Sequence, residues 1–62
     1  MRFREVEKLL RADGWYEVRQ TGSHHQYKHP TKKGLVTVPE HNKDINKKTV
    51  DSIMRQAGLL GL

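Results

Sequence analysis

The chain has 62 residues, no cysteine, 34% apolar residues and a formal net charge of +5. A chain this short makes a single domain, residues 1–62, that buries only about 60% of the surface its unfolded form exposes, and without cysteine neither disulfides nor a thiolate zinc site can reinforce it. A multidomain enzyme and a disulfide scaffold are excluded, and charges at Arg2, Arg4, Glu5, Glu7, Lys8, Arg11 and Asp13 break any apolar leader or span there, so the expected setting is the cytoplasm.

Phe3, Val6, Leu9 and Leu10 fall at helical spacing, and Gly14 stands where a helix commonly ends in a left-handed residue, which predicts a first helix packed by that face. Trp15 to Gln20 is rich in aromatic and β-branched types, as is the run ending at Tyr27, and Thr21-Gly22-Ser23 between them predicts a hairpin. His29 to Gly34 supplies a second turn, after which Leu35-Val36-Thr37-Val38 makes a third strand closed by Pro39. Glu40 to Lys47 reads as polar loop. Val50, Ile53, Met54 and Ala57 then mark a second amphipathic helix, with Asn46 as its cap and Gly58 as its stop. The order α-β-β-β-α predicts an α+β domain, a three-stranded antiparallel meander with both helices on one face and the other face open.

Alternation along the middle strand places His24, Gln26 and Lys28 on one face and His25, Tyr27 and His29 on the other. Tyr27 is the most apolar of these and is expected to face the helices, leaving His24, Gln26 and Lys28 on the open face. His25 and His29 are then expected at the sheet margin, because buried histidines need partners. The charge is also unevenly placed. Residues 1–18 and 49–62 are each neutral, so the excess comes from Arg19, Lys28, Lys32, Lys33, Lys43, Lys47 and Lys48 against Glu40 and Asp44. A basic middle between neutral ends is the footprint of a phosphate-binding surface, although many small domains are basic only for solubility.

Gly22-Ser23-His24-His25 carries the most chemistry. Glycine tolerates positive φ and serine bonds the local backbone, so the turn fixes how His24 is presented, and an imidazole is suited to proton transfer near neutral pH. The bland alternative is a pair of half-exposed strand histidines. Removing the proton of a 2′-hydroxyl beside a phosphodiester would let RNA cleave itself without a metal, given cations to offset the phosphoryl charge. Lys28 on the same face and Arg19 on the neighbouring strand are candidates for that task. His41 is a second acid, a substrate contact or merely a loop residue. His25 and His29 would stand about 13 Å apart in an extended strand, too far to share one ion, and no metal or other cofactor is expected. Trp15 and Tyr16 could stack on bases, but a Trp after a helix stop is more often core.

Leu9-Leu10, Gly14-Trp15, Gly22-Ser23-His24-His25, Val36-Thr37-Val38-Pro39, His41 and Ile53-Met54-Arg55-Gln56-Ala57-Gly58-Leu59 together resemble the HicA family of bacterial and archaeal toxins. The resemblance spans nearly the whole chain, departing where Lys47-Lys48-Thr49 replaces a frequent Gly-Thr step. It implies a fold similar to the double-stranded RNA-binding domain and a metal-independent endoribonuclease acting on mRNA. It also implies that the histidine of the Gly-Ser-His motif, His24 here, is essential, with Gly22 and Ser23 positioning it. The implied partner is a HicB-like antitoxin expected to cover His24, and the free toxin is expected to be a monomer. Arg19, Lys28, Lys32, Lys33, His41, Lys43, Lys47 and Lys48 are the candidate RNA contacts. The alternative is a non-catalytic RNA-binding module. A third reading is an interaction domain using the second helix and the tail Gly58-Leu59-Leu60-Gly61-Leu62, whose leucines so small a core can hardly absorb.

Overall fold

Helix α1 (Phe3–Ala12) buries Phe3, Val6 and Leu10, and the backbone N–H of Arg2 donates to Glu5 Oε1 at 2.8 Å to close its first turn. Leu9, expected on the same face, is 44% exposed. At 3.6 residues per turn it stands about 60° outside Val6, beyond the stripe that reaches the sheet. The helix stops at Asp13. Gly14 follows with φ +108°, and a Cβ there would meet His29 Nε2 at 2.9 Å, so both backbone and space require glycine.

In this computed structural model, which describes residues 1–59, strands β1 (Tyr16–Thr21), β2 (His24–Lys28) and β3 (Val36–Pro39) form one antiparallel sheet in the order β1-β2-β3. A two-residue loop, Gly22-Ser23, joins the first two strands, with φ +59° at Gly22, where glycine is favoured. Leu35 lies before β3 and is 42% exposed, so the strand begins one residue later than its hydrophobic run suggests. Helix α2 (Lys47–Gln56) starts at Asn46, whose side chain accepts from the Lys48 backbone N–H at 2.8 Å, and it buries Val50, Ile53 and Met54. The leucine tail from residue 60 onward, part of the interaction-domain reading, lies outside the described residues.

Tyr27, Val36 and Val38 from the inner face of the sheet join Phe3, Val6 and Leu10 of α1 and Val50, Ile53 and Met54 of α2 in one core that also holds Trp15 and Ala57. The segment from residue 40 to 46 is not wholly polar. Ile45 is buried in that core, and its N–H donates to the Met1 carbonyl at 2.7 Å, which ties this loop to the start of the chain. No helix among the described residues is long and apolar enough to cross a membrane.

Candidate functional site

The pairing register sets what the open face presents. Thr21 stands opposite His24 and Arg19 opposite Gln26, with Tyr16 opposite Lys28; on the other side Pro39 faces His24 and Thr37 faces Gln26. Directly opposed residues point the same way, so His24, Arg19, Lys28 and Tyr16 share this face. A β-bulge between Glu17 and Arg19 leaves Val18 45% exposed, while Glu17 stays opposite Tyr27 on the inner side and Arg19 opposite Gln26 on the outer. Tyr16 is 46% exposed here and Trp15 is core, which separates the two aromatics considered for stacking.

His24 is exposed and leads β2 directly after the turn. Among the described residues its ring makes no hydrogen bond or ion pair, so both nitrogens are open to a ligand. The motif itself is pinned from β3, because the N–H of Glu40 donates to the Ser23 carbonyl at 2.6 Å. Glu40 also lines, with Arg2, Phe3, Arg4, His41 and Asn42, a recess of about 290 Å³. Arg2 is engaged there, bonding the Asn42 carbonyl and standing 3.3 Å from Asp44. Arg4 and His41 are exposed. Counting charge by sequence segment hides Arg4, since residues 1–18 sum to zero, while the fold sets it on the recess with Glu40, His41 and Asn42.

The other predicted cations scatter. Lys28 lies four residues along β2 from His24, about 13 Å at strand rise. Lys33 is exposed in the loop before β3, Lys43 in the loop after it, and Lys47 and Lys48 open α2 without an acidic residue in the first turn. Lys32 has a structural task instead. Its Nζ donates to Asp13 Oδ2 at 2.6 Å and to the Ala57 carbonyl at 2.9 Å, fastening the second turn to the ends of both helices. The Lys32 hydrogen bond holds the Asp13 carboxyl below its usual range.

The inner face uses its polar groups differently. His25, expected at the margin, is buried, because β2 is the central strand and Phe3 closes over it with ring centroids 4.5 Å apart. Its partners are carboxylates: Nδ1 lies 3.0 Å from Glu17 Oε2 and Nε2 2.6 Å from Glu40 Oε1. Burial opposes its charged form, but the bonds to Glu40 and Glu17 outweigh that and raise its pKa above 6.5. His29 packs against Trp15 at 5.2 Å, places Nε2 2.7 Å from the Asp13 carbonyl and accepts the N–H groups of Thr31 and Lys32 at Nδ1. Tyr27 Oη donates to Glu7 Oε2 at 2.7 Å. Burial pushes the Tyr27 phenol up, and for Glu7 the bonds from Tyr27 and Arg11 overcome burial and lower its carboxyl. Among the described residues no three His, Cys, Asp or Glu side chains are grouped as a metal would need.

The sequence model of a family described as "HicA toxin of bacterial toxin-antitoxin" matches residues 3–59. A solved chain described as "Toxin-Antitoxin complex from Streptococcus pneumoniae" is 35% identical, with a TM-score of 0.81 over 95% of this chain and 98% of that one. No curated protein matches.

Proposed function

Since the chain belongs to the HicA toxin family, we propose that it is the toxin of a toxin–antitoxin pair and a metal-independent endoribonuclease that cuts mRNA in the cytoplasm, with His24 as general base. The observation that carries this reading is the state of His24, exposed, without a ring bond among the described residues, and held at the head of the central strand on the face away from the helices. His24 takes the proton of a 2′-hydroxyl, the freed oxygen attacks the adjacent phosphorus, and the bond to the 5′-oxygen breaks, that oxygen taking up a proton from water or from His41. Arg19, on the same face, offsets charge on the phosphoryl oxygens. Lys28, Lys33, Lys43, Lys47 and Lys48 hold neighbouring phosphates, and Gly22 and Ser23 set the angle at which His24 is offered.

A protein antitoxin that covers the open face would silence so small an enzyme most directly, and a stable cover hides about 1,200 Å² or more. The solved relative comes from a toxin–antitoxin complex, which supports such a partner. The test is cleavage of single-stranded RNA in EDTA, with a 2′-deoxy substitution at the cut nucleotide as control. The expected outcome is cleavage that survives EDTA, stops with the deoxy substrate and leaves a 2′,3′-cyclic phosphate. A strict requirement for Mg²⁺, or cleavage of DNA, overturns the mechanism.

A further inference from the structure

His25 follows His24 and points the opposite way, into the core side of the sheet. A neutral imidazole has one N–H, so with both ring nitrogens on carboxylates it would leave a lone pair facing a carboxylate oxygen; the imidazolium donates to both. We propose that His25, held as a cation between Glu17 and Glu40, is the positioning residue of the site, joining β1, the head of β2 and the chain after β3 into one unit that fixes where His24 stands. The inference rests on the reading of His24 as the base. His25 is too buried to meet RNA and acts only through its neighbour.

Three elements converge on this ring. Glu17 comes from β1, and Arg11 approaches it at 3.8 Å. From α1, Phe3 covers the ring and Glu7 feels its charge, Glu7 itself being bonded by Tyr27 and Arg11. Glu40 arrives from just beyond β3 and is fixed twice, through its carboxylate to His25 and through its N–H to the Ser23 carbonyl. Releasing the side-chain bond therefore loosens the segment that clasps the Gly22-Ser23-His24 turn, along with His41 one residue further on. Because the bonds to Glu40 and Glu17 hold the proton on His25, the unit opens only as pH rises past the raised pKa.

The full chain and its His25→Gln and Glu40→Gln variants are compared by thermal melt, by the NMR signals of the His24 ring and amide, and by single-turnover RNA cleavage across pH. In the wild type both His25 ring nitrogens keep their protons to a higher pH than in the unfolded chain, and the rate falls on the alkaline side as one is lost. In folded His25→Gln the His24 signals shift, and the rate at saturating RNA drops about 10²-fold, the scale for a reacting group displaced by an ångström, with RNA affinity kept. In Glu40→Gln the alkaline limb moves to lower pH, and this variant stands in if His25→Gln does not fold. Variants that melt earlier yet superimpose on the wild-type pH profile, with unmoved His24 signals, overturn the proposal. If the wild type cuts no RNA, the endoribonuclease reading fails separately, and the His24 signals alone decide the positioning role.

Discussion

His24 and His25 are adjacent in sequence and opposite in circumstance. On the open face, His24 is exposed with no bond to its ring from the described residues, while on the covered face His25, His29, Tyr27 and Glu7 each have a partner. No buried side-chain N or O among the described residues lacks one. A polar group that faces a core must be satisfied by the fold and thereby becomes structural, whereas one that faces water can stay unbonded at little cost and remains available for chemistry. Two identical side chains acquire different surroundings from strand parity alone.

The sharpest way to break this comparison is to truncate one residue on each face. Tyr27→Ala is expected to cost about 3–5 kcal/mol, against a total stability of about 3–9 kcal/mol for a chain of this length, so its melt should be lost or far lowered. His24→Ala should melt like the wild type and lose about 10²- to 10⁴-fold in cleavage rate. An unfolded His24→Ala would erase the distinction between the faces.

A smaller effect sharpens it through pH. His25 has a folded pKa raised above 6.5, so its contribution to stability is complete below that value and is lost as pH rises through the higher one. Glu7 and Asp13 are lowered from 4.5 and 3.8, so theirs is present above those values and lost as pH falls through the lower ones. Tm should therefore be highest between pH 4.5 and 6.5 and decline on both sides. A Tm that keeps rising above neutrality would contradict the doubly bonded His25.

The smallest effect is read from salt. If a single strand displaces as few as four ions, log K falls against log salt with a slope near −3, and removing one phosphate contact reduces that slope by about 0.7. Lys28→Ala should show the reduction. Lys32→Ala should leave the slope unchanged and lower Tm instead, since its ammonium is held by Asp13 and Ala57.

Much of the fold was legible because periodicity and punctuation agreed. The element order, the Asn46 cap, inward Tyr27 and outward His24 all follow from local pattern, as does a turn at Gly22-Ser23, although Thr21, read as part of it, ends β1. Leu9 and Leu35 misled because hydrophobicity alone does not say where a stripe ends. The burial of Ile45 was hidden in a polar stretch, and His25 was misplaced because its partners, Glu17 and Glu40, lie eight and fifteen residues away. Arg4 was missed for the same reason, since tertiary packing sets it on one recess with Glu40 and His41, and Lys32 was grouped with the surface cations because its partners Asp13 and Ala57 are remote in sequence.

The clasp on Ser23 also has a place in time. The hairpin around Gly22 closes over two residues, an event of about 1–10 μs, whereas Glu40 can reach Ser23 and His25 only after the chain between β2 and β3 has been looped back. Gly22→Ala, strained by its φ of +59°, should slow refolding, while Glu40→Gln should speed unfolding and leave refolding unchanged in stopped-flow traces. A nascent chain on the ribosome that has not yet delivered residue 40 would then hold the hairpin without the bonds from Glu40 to Ser23 and His25.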